Sequence, residues 1–248
     1  MANWNDPRQA RTGLGASTTV PRTGGAVVFD QGLRSYMLSI YNYMTSGVLL
    51  TGVVALVTAQ SGLAAQFASG PLMWLVALSP LAIVLAMSFG MHKFSRTTLQ
   101  AMFWGFAILM GLSLSTLFLV YTGGSIATTF FATAGAFAGL SLWGYNTKKD
   151  LSGFGTFLIM GVVGLIIASL INLFLQSSGL SLAISFLGVL IFAGLTAYDT
   201  QKLKNIYNDV RGTEFMGKVV IMGALNLYLD FINMFLFLLR FMGVARSE

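Results

Sequence analysis

The chain consists of long apolar segments separated by short polar connectors. Seven such segments lie at about residues 37–59, 72–91, 99–121, 124–145, 154–176, 181–201 and 219–243. None of them alternates apolar and polar residues with the period of two that a membrane β-strand shows. About 20 apolar residues are enough to cross the hydrocarbon core of a bilayer as an α-helix. The pattern therefore predicts an all-α, polytopic membrane bundle of seven transmembrane helices.

Composition supports this class and excludes several others. Hydrophobic residues make up 56% of the chain and charged residues 9%, whereas a soluble domain carries about 25% charged residues. The ranges 35–92, 97–147 and 151–198 contain no Asp, Glu, Lys or Arg. Cys is absent and His occurs once, so disulfides and multi-His metal sites are excluded. We expect a lipid bilayer as the environment, no cofactor and no nucleic-acid partner.

Basic residues fall in every second connector, which predicts the orientation. They lie before the first segment and then in the second, fourth and sixth connectors, with two more near the C-terminus. The positive-inside rule then places the N-terminus in the cytoplasm and the C-terminus outside. Residues 1–34 are polar and predict a flexible cytoplasmic tail, and residues 35–245 form the seven-helix transmembrane domain.

The last segment carries the acid that is most costly to place in a membrane. Asp230 lies near its middle, where an ionised Asp costs roughly 2.5–3.5 kcal/mol. Asn226, Asp230 and Asn233 follow the i, i+4, i+7 spacing that puts them on one helix face. This face is expected to point into the bundle and to supply pore-lining polar groups. A structural hydrogen-bond cluster that joins helices is the alternative interpretation.

A second acid, Asp199, lies near the end of the sixth segment. On its own it is typical of a solvated partner for Lys202 and Lys204. Two carboxyl groups close together in a low dielectric do not ionise together easily, so we expect Asp199 and Asp230 to share a proton and sense pH. Asp199 is nearer the membrane surface in sequence, so contact requires the sixth helix to continue past Lys202 and the seventh to begin below the bilayer surface.

Two further patterns suggest helix contacts and a gate. Lys93 and Arg96, next to His92, follow the second segment; they are either ordinary positive-inside charge or a latch cation that holds ionised aspartates. Gly135 and Gly139 form a GxxxG motif, for which close packing within the bundle is favoured over a dimer interface.

Four stretches of the chain resemble the Bax inhibitor-1 family in its bacterial branch. They are YMLSIYNYMTSGVLLTG in the first segment, GLSLS in the third, TAYDTQKLKNIY in the sixth and ALNLYLDFINMFLFLLRFMG in the seventh. The resemblance implies a bundle with the last helix central and a location in the bacterial inner membrane.

The resemblance also implies a function for the acids. In the family, the positions of Asp199 and Asp230 form a hydrogen-bonded, pH-sensing pair in a pore that leaks calcium, and a basic residue at Lys93 or Arg96 latches them. Transient calcium ligation by the two aspartates follows. Some members carry an acid in the second segment, where this chain has only apolar residues and Ser79 or Ser88.

Three function classes are compatible with these features. The leading one is a pH-sensitive calcium or cation leak channel gated by the di-aspartyl pair. The alternative is a regulatory membrane protein that binds a membrane protease or cell-death partner without transport. An intramembrane aspartyl protease would need Gly-x-Gly before its second Asp, whereas Tyr228 and Leu229 stand there. We therefore expect no enzyme.

Overall fold

The computed structural model describes residues 23–68 and 70–246, with side chains from residue 31 onward. Within these residues the helices are α1 (Thr23–Gln60), α2 (Leu63–Phe67), α3 (Gly70–Gly90), α4 (Arg96–Leu114), α5 (Leu117–Val120), α6 (Gly123–Asn146), α7 (Ser152–Leu175), α8 (Ser178–Val210) and α9 (Met216–Met242). Seven spans are long and apolar enough to cross a membrane, and α4 with α5 forms one of them. The predicted seven-helix membrane bundle is confirmed.

The first helix begins earlier than the sequence pattern predicted. Residues 23–34 belong to α1, although their polar character placed them in the tail. A helix that is already nucleated gains a hydrogen bond with each residue added, so an apolar span extends readily into polar sequence. The remainder of the predicted tail, residues 1–22, lies outside the described residues.

The last helix is the centre of the bundle, as predicted. We compared an apolar window of 18 residues in each span. Within it, 72% of the residues are buried in α9, against 11% in α3 and 11% in α7. The helix packs against α8, α1, α6 and α4. Aromatic contacts fix two of these neighbours: the Phe231 ring centre lies 5.5 Å from that of Phe130, and Tyr228 lies 5.0 Å from Phe106.

The two ends of the bundle differ in charge, and we name one of them the basic face. It comprises the starts of α1, α4, α7 and α9 and the ends of α3, α6 and α8. Its basic residues are Arg34, Lys93, Arg96, Lys148, Lys149, Lys202, Lys204, Arg211 and Lys218. At the opposite face, Tyr121 and Ala245 form an antiparallel bridge that holds the chain after α9 against the start of α6.

Side-chain caps explain where several helices begin. Ser95 accepts a hydrogen bond from the Thr98 backbone N–H at 3.1 Å at the start of α4. Ser177 accepts one from Leu180 at 3.3 Å at the start of α8. Such caps satisfy backbone donors that have no partner within the helix. The connectors can therefore be short, which keeps successive spans antiparallel and adjacent.

The GxxxG interpretation is wrong for this bundle. Gly135 and Gly139 are exposed, and a Cβ added to either would meet nothing within 4 Å. The close approach occurs instead at Gly144, where an added Cβ would collide with the backbone of Ala197 in α8. The motif faces outward because the α6 face that carries Phe137, Ser141 and Gly144 is the buried one.

Candidate functional site

A polar cavity lies between α7, α8 and α9, with a volume of about 750 Å³. Asp199 and Lys202 reach it from α8, and Asn226, Asp230 and Asn233 reach it from α9. Leucine, isoleucine and valine side chains of α7 form much of the remaining wall. The structure thus brings together both predicted aspartates and both predicted asparagines, in a site that we name the aspartate cavity.

Helix α9 presents its polar residues at the predicted spacing. Asp230 is 5% exposed, and its Oδ2 is buried with no hydrogen-bond partner among the described residues. Leaving a buried carboxylate oxygen without a donor costs several kcal/mol or is relieved by a proton or cation. The Asp230 carboxyl group therefore has a free oxygen that could bind a proton or an ion.

Helix α8 brings Asp199 to the depth of Asp230 because it is longer than its apolar segment. It continues to Val210, so Asp199 lies about 16 Å of helix rise inside that end. Asp230 lies about 21 Å from the start of α9 at the same face. Of the two conditions that sequence analysis set for contact, the first, a sixth span that continues past Lys202, is met.

A cation accompanies the two acids. Asp199 and Lys202 are both near enough to Asp230 to interact with it electrostatically. Lys202 is exposed, and its Nζ lies 5.9 Å from the centre of the Tyr198 ring. The amine therefore stands at the edge of the cavity, beside a ring that can stabilise its charge.

The amide groups complete a set of oxygen ligands. Asn233 donates its Nδ2–H to the Leu229 carbonyl at 2.8 Å, so its amide oxygen is the part able to serve as a ligand. Asn226 is half-buried in the same wall. Carboxylate and amide oxygens are the ligand type that a hard cation such as Ca²⁺ prefers, but Asn226 and Asn233 lie about 10 Å of helix rise apart, so one ion would contact only part of the set and water would complete its shell. The set favours weak, exchangeable binding.

Close packing of α7 on α8 shapes the basic-face end of the cavity. The Tyr198 ring lies directly against Gly155, where an added Cβ would collide with the ring. Gly155 is buried although most of α7 is not. Because Tyr198 precedes Asp199, this contact also sets the rotation of α8 that directs Asp199 toward α9.

The predicted latch is not formed in this structure. Lys93 and Arg96 are exposed, and neither lines the aspartate cavity. The Arg96 side chain packs on Gly217 at the start of α9, about 20 Å of helix rise from Asp230. The second span ends at the membrane surface while the aspartates lie deep, so the cation at the cavity is Lys202 instead.

Sequence analysis did not predict a set of hydrogen bonds made by Gln201 and Lys204, just after Asp199 on α8, which we name the clamp. Gln201 accepts a hydrogen bond from the Leu151 N–H and donates one to the Lys149 carbonyl, both at 2.8 Å. Lys204 donates to the Tyr145 carbonyl at 2.7 Å, near the C-terminus of α6, where a cation is favourable. The clamp fastens the α6–α7 connector to the helix that carries Asp199. Its partners are backbone atoms, which leave no sequence signal.

A buried network beside the site was also missed. The Thr51 hydroxyl donates to the Ala107 carbonyl at 2.8 Å and lies 2.7 Å from the Tyr228 hydroxyl. The network joins α1, α4 and α9 through Tyr228, which lies two residues before Asp230 but does not line the aspartate cavity. The sequence pattern indicated no role for Tyr228, because its aromatic ring fits an apolar segment. The only signal was its hydroxyl, since a buried Tyr O–H usually has a hydrogen-bond partner.

The fold and the site define a class of protein: polytopic α-helical membrane proteins with two carboxyl groups facing one cavity beside a central last helix. The family model described as inhibitor of apoptosis-promoting Bax1 matches residues 33–247. The chain belongs to the Bax inhibitor-1 family, which confirms the resemblance.

Curated relatives are bacterial and match over nearly their whole length. Protein RP147 of Rickettsia prowazekii (strain Madrid E) is 47% identical, covering 92% of this chain and 98% of the relative. Inner membrane protein YbhL of Escherichia coli (strain K12) is 46% identical, covering 91% and 98%. A protein of Caulobacter vibrioides is 45% identical, covering 94% and 98%. The name of YbhL agrees with a membrane-embedded chain.

Proposed function

We propose that the protein is a pH-sensitive cation leak channel of the inner membrane, with calcium as the permeant ion and the Asp199–Asp230 pair as its gate. One observation carries the proposal: the carboxyl group of Asp230 is buried at mid-span, no described residue donates a hydrogen bond to its Oδ2, and it shares a cavity with Asp199 and Lys202. A purely structural acid would be expected to have its oxygens satisfied.

The gate follows from the charge of the pair. When both carboxyl groups are ionised, their mutual repulsion is relieved by a cation, either Lys202 at the edge or a permeant ion between them. Protonation removes one negative charge and weakens the hold on either cation. The cavity then changes both its affinity for cations and the attraction between α8 and α9, so flux depends on pH.

The experiment measures calcium entry into proteoliposomes between pH 6 and pH 8. Between these two pH values the calcium flux of wild type is expected to change about tenfold. This corresponds to a difference of about 1.4 kcal/mol between the interactions of the cation with the ionised and the protonated pair. Asp230→Asn keeps the shape but not the titration, so its flux should be nearly independent of pH. Asp209→Asn is the matched control, because Asp209 is exposed on α8, the helix of Asp199, outside the aspartate cavity. It should behave as wild type.

Unchanged flux and pH dependence in Asp230→Asn would remove the proposal. The alternative, a regulatory protein that binds a membrane protease or cell-death partner without transport, would then stand. It predicts that deletion of residues 1–30 abolishes partner binding, while a channel lacking them still conducts.

We further infer that the basic face is cytoplasmic, with the C-terminus outside, since most basic residues lie there. The chain has no Cys, so single cysteines report topology cleanly. Asn208→Cys at the basic face and Ser61→Cys at the opposite face are both exposed positions. In intact bacteria with a permeable outer membrane, an impermeant maleimide should label Ser61→Cys only. Labelling of Asn208→Cys alone would reverse the orientation.

A further inference from the structure

A second large cavity, of about 820 Å³, lies between α1 and α6 with Phe231 of α9 at its floor. We name it the α1–α6 groove. Met37, Met44 and Val48 from α1 face Ala134 and Phe137 from α6 across it. Its rim residues Leu38, Leu49 and Leu142 are exposed, so the groove opens sideways, toward the hydrocarbon of the bilayer.

The α1–α6 groove is long enough to hold a lipid acyl chain. It extends along α1 from Arg34 to Leu49, which is about 22 Å of helix rise and longer than one ~15 Å leaflet of the hydrocarbon core. An acyl chain that lies along α1 can therefore follow the groove over the full depth of one leaflet.

The polar side chains that line the groove are Arg34, Tyr41, Thr45, Ser141 and Tyr145, and Arg34 lies nearest its basic-face end on α1. Arg34 is the one lining side chain with a formal charge, and no side chain that the structure describes forms an ion pair with it. Deeper by several residues of α6, Ser141 is 5% exposed and its hydroxyl has no hydrogen-bond partner among the described residues. From the basic face inward, a cation is followed by a buried hydroxyl. A phospholipid has its phosphate and its ester carbonyl in the same order from the membrane surface inward.

We propose that the α1–α6 groove is a binding site for an anionic phospholipid. The phosphate pairs with the Arg34 guanidinium, the Ser141 hydroxyl donates a hydrogen bond to an ester carbonyl, and an acyl chain lies along the apolar wall. Charge selects the headgroup, because the other lining residues offer no carboxylate to repel it and one cation to attract it. The site is independent of the aspartate cavity and of cation transport.

Native mass spectrometry of the purified, delipidated full chain tests the proposal. The probes are phosphatidylglycerol and phosphatidylcholine with identical acyl chains. Wild type should retain phosphatidylglycerol about fivefold more than phosphatidylcholine, as one cation near the membrane surface provides. Arg34→Gln should lose this preference. Lys93→Gln, which removes a positive charge from the same face outside the groove, should keep it.

Two variants test the groove and the hydroxyl. Ala138→Phe fills the groove from its α6 wall and should reduce retention of both lipids to background. Ser141→Ala removes a hydroxyl that bonds to no described residue, so the fold survives, while retention of both lipids should fall two- to fivefold by roughly the net value of one hydrogen bond.

Several results would overturn the proposal. Equal retention of the two lipids by wild type, or an unchanged preference in Arg34→Gln, would exclude headgroup recognition by Arg34. Unchanged retention in Ala138→Phe would place the lipid elsewhere. A dimer mass that disappears in Ala138→Phe would identify a second copy as the occupant instead.

Discussion

Asp230 and Phe231 are neighbours in α9, yet they line different cavities. The aspartate cavity between α7, α8 and α9 holds two acids, two amides and a lysine. The α1–α6 groove is of similar size, about 820 Å³ against 750 Å³, and its single charged side chain is at the rim. Both cavities border the same buried helix, so depth in the membrane does not account for the difference between them.

The comparison shows how a central membrane helix can carry an ionisable group. Successive residues of a helix point about 100° apart, so α9 presents a polar face to α8 and an aromatic face to α1 and α6. Asp230 is tolerated because Asp199, Lys202 and two amides share its cavity. Phe231 packs against the rings of Phe130 and Phe137, which offer no hydrogen bond to a carboxylate.

The largest effect is expected from placing an acid on the wrong face. Phe231→Asp would bury a carboxylate in the α1–α6 groove and should destabilise the bundle by about 3 kcal/mol, in addition to removing its ring contacts. Phe231→Leu, the control, should cost roughly 1 kcal/mol. The stability of both variants is measured by heating the protein in detergent and using size-exclusion chromatography to quantify the folded fraction that remains. Equal losses would mean that the two cavities do not differ in their tolerance of charge.

An intermediate effect is expected where α6 touches α8. Gly144→Ala directs a methyl group into the backbone of Ala197, two residues before Asp199, and should destabilise the fold by about 1–3 kcal/mol while altering calcium flux. Gly139→Ala meets nothing within 4 Å, so it should be neutral or slightly stabilising, since Ala favours helix. The prediction fails if the two variants unfold at the same temperature.

The smallest effect is expected from the exposed cation at the aspartate cavity. Lys202→Gln removes a positive charge that favours proton loss from the carboxyl pair. The midpoint of flux against pH should therefore move upward, by about half a pH unit because water screens an exposed amine. Lys204→Gln is a useful comparison, since Lys204 bonds to the Tyr145 carbonyl and is absent from the cavity lining. A downward shift in Lys202→Gln would contradict this arrangement.

Much of the fold could be predicted because the membrane limits the alternatives. Unbroken apolar segments must be helices, since backbone groups in lipid need partners within the segment. The face of Asn226, Asp230 and Asn233 followed from helix periodicity, and all three line the aspartate cavity. One of the two conditions for their meeting with Asp199 was that the sixth helix continue past Lys202, and α8 does so by extending to Val210.

Other parts of the site could not be predicted, for physical reasons that particular residues illustrate. Lys93 and Arg96 were candidates by charge, but which cation reaches a deep acid depends on helix packing, and Lys202 does so. Gln201 acts on backbone atoms of the α6–α7 connector, so no complementary residue marks its role. The outward direction of Gly135 and Gly139 depended on the rotation of α6.

By itself, the sequence determined that the chain spans a membrane seven times and that one helix face carries an acid at mid-depth. These features follow from local hydrophobicity and helical period, which need no knowledge of neighbours. Tertiary packing alone decided which helices enclose Asp230, where Arg34 and Ser141 meet a groove, and which glycines allow close approach. Such contacts join residues far apart in the chain, and their selection is a property of the whole bundle rather than of any segment.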